Sequence, residues 1–274
     1  MVKTNKDTEQ STKKISIQVS LDGFSFCAFD NQIQSIDFFY EESFGKRLNP
    51  MQVLDKIEMI YAEEEILKNT SFQVELLFSN HLYSIIPASL YSEENASDYL
   101  KFNARILQTD VIAKDLIGDE LVNIYIPYTN ILNYFFDKYG EFQYRHSVSV
   151  LVEALLKESA DKTGTTFYTY LTEKGFDLVV ISDSKLLLAN SFHCENRTDF
   201  LYYLLFTAEQ LNQDPEVFNL VMLGSITEDS AFYEMAYTYI RNVSLLDISF
   251  GYNYSGGATP PKGYQHYPLL KSLQ

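Results

Sequence analysis

Tryptophan is absent from this chain, cysteine occurs twice, and in 274 residues there are only 21 Lys and Arg against 37 Asp and Glu. Each shortage excludes something. A net charge of −16 repels phosphate backbones, whose binding draws on clustered Lys and Arg to release counterions, so nucleic acid and anionic membrane are poor partners. No stretch reaches the roughly 18 consecutive apolar residues of a membrane-spanning helix. The polar start, MVKTNKDTEQSTKK, leads into no apolar block of signal-peptide length, because Asp22 and Asp30 interrupt the runs that follow; the chain is expected in the cytoplasm. In that reducing setting Cys27 and Cys194, placed in or beside apolar strand patterns, are expected as small core residues and not as a bridge.

Familiar chemical signatures are missing too. The sequence contains no nucleophile elbow, P-loop or dinucleotide fingerprint. His81, His146, His193 and His266 are scattered, without a second ligand at zinc spacing, so no metal site and no catalytic group is assigned. His193 beside Cys194 is the one suggestive pair, but neighbours on a strand point to opposite faces and would not share a metal or form a nucleophile and base.

What is present is aromatic and periodic. Tyr and Phe number 21 and 20. Residues 1–14 lack periodicity and are expected as a mobile arm. Then ISIQVS, FSFCAFD and IQSIDFFY alternate with period two and are joined by tight turns, which predicts an antiparallel meander. Asn49 and Pro50 open a helix with Val53, Leu54, Ile57 and Ile60 on one face, and FQVELLFS follows as a strand covered on both sides. From Leu82 to about Ser159 the order is looser: a strand stopped by Pro87, a helix over Glu93 to Arg105, a hairpin from VIAKDLIG and ELVNIYIP, and helices over Tyr128 to Lys138 and Val148 to Ser159.

The first pattern then returns. TFYTYLT, GFDLVVIS and KLLLANSF are three more strands, Thr198 and Asp199 open a helix whose apolar face carries Phe200, Leu204 and Ala208, and FNLVMLGS is again a continuous apolar strand. A helix over Asp229 to Arg241 and the strand VSLLDISF follow, then a tail from Gly251, rich in Gly, Pro and Tyr, expected to wrap the surface or be partly disordered. With Gly23 set on Gly175, DGFSFCAFD falls on KGFDLVVIS. The organisation expected is an arm (1–14), a first half with an inserted subdomain (15–159), a second half (160–250) and a tail (251–274), with an internal duplication behind it. Surface Tyr on the late helices suggests a protein-binding face.

This succession of strand, strand, strand, helix and strand resembles the actin-like superfamily, which includes actin, sugar kinases and heat-shock chaperone ATPases. The combination of LDGFSF with a late DFLYYLL helix and LVMLGSI strand resembles, more closely, an uncharacterised bacterial family with this duplicated α/β fold and no assigned activity. The resemblance implies an actin-like ATPase (ribonuclease H-like) fold with mixed sheets flanked by helices. It also implies where a nucleotide and its Mg would sit: the first hairpin at Asp22 and Gly23, the second at Glu173 and Gly175, and the adenosine loop at Gly224 and Ser225. At each place the glycine is kept and most polar partners are lost. The carboxylate of Asp22 is one place out of register, bulky Phe176 follows Gly175, and Gly224 lacks its second glycine. The expectation is a non-catalytic protein that binds a protein partner or small ligand, with a degenerate nucleotide site, and with weak ATP and Mg binding as its remnant. The competing expectation is an ATP-dependent phosphotransferase or ATPase that uses Asp22 and Glu173 for metal.

Overall fold

Two tight turns generate most of the architecture. In the computed structural model, which describes residues 13–101, 106–107, 110–248, 250–255 and 264–274, β1 (Lys13–Val19) turns through Leu21 and Asp22 into β2 (Gly23–Asp30), and β2 turns into β3 (Ser35–Ser43). Connections this short leave only antiparallel pairing. Next, α1 (Pro50–Glu63) carries the chain back so that β4 (Gln73–Phe78) pairs parallel with β1. The helix starts where the sequence says it should. Asn49 accepts from the amides of Met51 and Gln52 while Gln52 returns a bond to the Asn49 amide, and Pro50 occupies the first turn.

The middle section supplies β5 (Tyr83–Pro87), α2 (Ala96–Leu100), β6 (Ala113–Ile117) and β7 (Leu121–Tyr125), whose three strands form a separate sheet in the order β5-β7-β6. It returns through α3 (Thr129–Tyr139), β8 (Gln143–His146) and α4 (Ser147–Glu158), with β8 joining β4 in the first sheet. Of the helix expected over Glu93 to Arg105, the described part is α2 preceded by a single 3-10 turn; residues 102–105 lie outside the described residues. The arm expected over 1–14 also lies outside them, except that Lys13 and Lys14 already belong to β1.

The second half repeats the first. Strands β9 (Thr165–Thr172), β10 (Gly175–Ser182) and β11 (Lys185–His193) form the meander, α5 (Arg197–Gln210) the return, and β12 (Asn219–Gly224) the parallel partner of β9. The helix is capped by Asn196, which accepts from the Thr198 and Asp199 amides, and so starts one residue before the Thr198 expected from the sequence. Then α6 (Ala231–Tyr239) leads to β13 (Asn242–Leu245), parallel to β12. The two sheets have the same order, β3-β2-β1-β4-β8 and β11-β10-β9-β12-β13. Even the irregularities coincide: the register slips between Ala28 and Phe29 in one meander and between Val180 and Ile181 in the other, equivalent steps when Gly23 is set on Gly175.

Packing is layered. The faces of β1 and β2 that carry Ile15, Ile17, Phe24 and Phe26 pack on α1, and those of β10 that carry Phe176, Leu178 and Val180 pack with Phe200 and Leu204 of α5. Between the two sheets lie α4 and the end of the chain. That end is where the structure departs from the sequence reading. After β14 (Asn253–Tyr254) pairs with the outer edge of β3, the segment ends in α7 (Tyr267–Lys271), with Tyr267, Leu269 and Leu270 fully buried. Its apolar residues are too few and too closely spaced to show a period, yet they fill the gap under β1 and β2 against Cys27, Phe29 and Ile36.

Candidate functional site

The two meander hairpins point into one cleft between the halves, and hydroxyl groups shape both tips. Ser20, the residue after β1, accepts from the Gly23 amide (2.9 Å) and, longer, from the Asp22 amide (3.3 Å), while donating to the Asp22 carboxylate. Thr172 ends β9 and donates to the Gly175 carbonyl (3.2 Å); Ser20 Oγ lies at a similar distance from the Gly23 carbonyl (3.1 Å). The cleft walls include Asp22 and Gly23 from the first hairpin, Glu173 and Lys174 from the second, and Ser225 after β12. Of the residues singled out from the sequence, four therefore converge.

Gly175 and Gly224 stand behind the walls. A Cβ on Gly175 would lie 2.1 Å from the Phe192 carbonyl oxygen of β11. One on Gly224, whose φ is +90°, would lie 2.1 Å from the Leu171 carbonyl oxygen of β9. No side chain tolerates such an approach, so close strand contact requires both glycines. Phe24 and Phe176 line the cleft without protruding into it as exposed rings. Their rings are 1% and 2% exposed, Phe24 packed near Phe26 and Tyr61, Phe176 stacked on Phe192 and edge-on to Phe200.

The most unusual group in the cleft was not singled out from the sequence. Asp177 follows Phe176, and strand alternation turns its carboxyl to the opposite face, toward the first half. It is half-buried in the cleft wall. Burial pushes the carboxyl up to about 6, against the hydrogen bond donated by Ser191, whose hydroxyl also lies 3.0 Å from the Tyr83 hydroxyl. A lone acid inside the apolar run GFDLVVIS is the signal that marks it, since acids are almost never buried without purpose or partner. On the facing wall, Gln18 of β1 has its Oε1 buried without a hydrogen-bond partner.

Around the first hairpin, burial lowers the pKa of His81, with Arg47 and His193 adding to the effect and Asp22 opposing it. A hydrogen bond from His266, 3.3 Å away, holds the Glu41 carboxyl below its usual value. The enclosed space is about 140 Å³, under half the lower end of the roughly 300–1,000 Å³ typical of small-molecule sites. Among the described residues no group of three His, Cys, Asp or Glu is placed to hold a metal ion. His193 and Cys194 point apart as strand geometry requires: the histidine is exposed, and burial raises the Cys194 thiol to about 11, too high for a reactive thiolate. Burial likewise raises Cys27 to about 12, and both cysteines are free.

A further polar cluster sits behind the cleft wall, where the three-stranded sheet meets α4. Asp115 accepts from the His146 amide (2.8 Å) and the Tyr125 hydroxyl (3.2 Å), and Asn123 donates to Ser149 (2.8 Å). His146 accepts from the Val148 amide through Nδ1, which leaves the proton on Nε2 facing Asn80 Oδ1 (3.4 Å); burial lowers its pKa to about 3, so the ring is neutral. Most of these groups are paired and His146 caps α4, while Asn123 Oδ1 is buried without a hydrogen-bond partner.

Comparison with known proteins agrees with this architecture. Over residues 3–243 the chain matches, and belongs to, the family described as protein of unknown function (DUF3822). No curated protein matches it. Among solved structures it is similar to a protein with actin-like ATPase fold and unknown function from Bacteroides thetaiotaomicron VPI-5482, at 21% identity and a TM-score of 0.78 over 87% of this chain and 92% of that one. It is also similar to a chain of the PilM-PilN type IV pilus biogenesis complex, at 8% identity and a TM-score of 0.60 over 94% and 96%. The chain has the actin-like ATPase fold expected from its repeated unit. Among the described residues no helix is long and apolar enough to cross a membrane.

Proposed function

We propose that this protein acts by binding and not by catalysis, as an actin-like-fold platform whose nucleotide site has decayed and whose partner is another protein. The observation that carries this reading is the state of the first hairpin. Where phosphate oxygens are held by backbone amides, those amides must be free to donate; here the Gly23 amide, and more weakly that of Asp22, already donates to Ser20 Oγ. The small cleft volume and the backbone pressed against Gly175 and Gly224 support the same reading, since a nucleotide needs both room and backbone approach. Mg would find Asp22 already bonded to Ser20 and no converging set of ligands beside it.

A face for a partner is available on the second half. Tyr202 and Phe206 of α5 stack on each other and are 59% and 47% exposed, and Tyr237 of the neighbouring α6 is 66% exposed. Aromatic rings at the surface supply the large, stiff apolar area that protein interfaces favour. The PilM chain, similar in fold, is found in a complex with PilN, which supports partner binding as a use of this fold.

Titration calorimetry of the full chain with Mg-ATP tests the reading. No saturable heat is expected; low-micromolar affinity that disappears in Asp22→Asn with Glu173→Gln would overturn it. One observation favours the second reading, an ATP-dependent phosphotransferase: Asp177 faces the cleft with a carboxyl raised toward neutrality, as a general base requires. Release of phosphate or transfer to an acceptor, abolished by Asp177→Asn, would establish that reading instead.

A further inference from the structure

The cleft is lined in part by residues that come from the far end of the described chain. Tyr264 accepts the Gly224 amide through its carbonyl (2.7 Å), Gln265 accepts the Tyr170 hydroxyl through its carbonyl (3.2 Å), and His266 reaches Glu41. The first two contacts are with the second half and the third is with the first half, so three consecutive residues tie the halves together across the mouth. Glu41 is the cross-strand neighbour of Ser25, and Ser25 of Gln18, so the tie lies over the inner face of the first sheet.

We propose that residues 264–274 are an intramolecular plug that holds the cleft shut, and that displacing this segment is what admits ligand. This inference rests on the reading of the cleft as a binding site and adds its regulation.

The way the plug is held fits a removable part. α7 has five residues, too few to be helical alone, so its structure depends wholly on what it touches. Its anchors combine the apolar packing of Tyr267, Leu269 and Leu270 with a set of polar bonds. Tyr267 donates to Glu158 (2.6 Å) and Lys271 pairs with the same carboxylate (3.1 Å); Ser272 meets Ser16 (2.5 Å), and Lys14 bonds both the Ser272 carbonyl and Glu75. Water and ions can replace the polar bonds, and the apolar contacts are those of a few side chains on one short segment, so it opens below the cost of global unfolding. Closure also leaves local deficits. Gln18 Oε1 is buried with no donor, and Asp177 is desolvated in front of it. Parting the halves returns water to both, which offsets part of the loss of the anchors.

A cysteine at Ser25, 7% exposed in the cleft wall, reads the plug without any assumption about ligand, because the native thiols are buried. Maleimide labelling of Ser25→Cys is expected to be slow with the native tail. It is expected to be at least tenfold faster when Tyr267→Phe and Lys271→Ala remove both bonds to Glu158, and faster again with Leu270→Asp, which expels the apolar anchor. Amide exchange over 264–274 should rise in the same order. Rapid labelling with the native tail, unchanged labelling in a variant whose tail has lost protection, or a tail that stays protected in both variants would each overturn the proposal. Tight Mg-ATP binding by the full chain would instead sink the non-catalytic reading and leave the labelling result standing on its own.

Discussion

The two hairpins that meet in the cleft share a backbone and differ in charge. Ser20, just after β1, and Thr172, at the end of β9, each hold a hydroxyl near the glycine carbonyl, Gly23 and Gly175 start the next strands, and between them stand Leu21 and Asp22 in one turn and Glu173 and Lys174 in the other. Two places further on, Ser25 occupies in the first half the position that Asp177 holds in the second. The frame common to the halves is therefore set by hydroxyl groups, glycines and apolar alternation, whereas their chemistry lies in the positions where they diverge. That difference teaches where to look for function: at Asp177 and at the turn tips, and away from the glycines that first suggest a nucleotide site.

The comparison is broken most severely at the glycines themselves. Gly175→Ala should cost about 3 kcal/mol or more in urea unfolding, since its Cβ would press on Phe192 backbone, while Gly23→Ala, whose Cβ meets Glu42 at 3.2 Å, should stay within about 1 kcal/mol. Equal costs would mean that the hairpins are packed alike. Next in size is acidification. His146 is neutral in the folded state with a pKa lowered to about 3, so it adds stability above pH 6.5 that is lost as pH falls toward 3, up to about 3–5 kcal/mol. The equivalent edge strand of the second half, β13, ends at Leu245 with no such group. Hydrogen exchange at pH 4 should therefore show β8 and α4 losing protection before β13 and α6.

Smaller effects sharpen the comparison. Asp177 has its folded pKa raised to about 6 from an ordinary 3.8, so wild type is relatively favoured at low pH and penalised as pH rises through that interval. Asp177→Asn should raise stability at pH 7 by roughly 1–2 kcal/mol, with the gain gone below about pH 4; Ser25→Ala at the matching position should show no such pH dependence. Last, Asn49→Ala and Asn196→Ala should each cost about 1 kcal/mol, with Asn49 the costlier because Gln52 completes its capping box. Thermal denaturation of the two variants side by side checks the order.

Much of the fold was legible because the strands alternate. FSFCAFD and GFDLVVIS each mark apolar positions on both faces of a central strand, and Asn49 with Pro50 marks a helix start that the structure confirms to the residue. The tail was not legible. Its burial comes from long-range contacts of Tyr267, Leu269 and Leu270, and no local period announces a five-residue helix. The site was half legible. Resemblance pointed to the hairpin tips, and they do line one cleft, but resemblance also drew attention to Gly175 and Phe176 and past Asp177, which departs from apolar alternation by a single residue.

The pairing of β14 with β3 has a consequence for how the chain is made. Ser35 on the outer edge of the first sheet bonds to Ser255, 220 residues later. At roughly 5–20 residues per second, the ribosome takes about 10–45 s to deliver that partner. For that interval the finished first meander has an open edge and a bare apolar floor at Cys27, Phe29 and Ile36. Emergence of 253–255 pairs the start of that edge, at Ser35 and Ile36, and that of 264–273 covers the floor. The first half of the molecule is thus completed late, and a nascent chain stalled before Asn253 would leave Ser35 and Ile36 unpaired on that edge and the apolar floor bare.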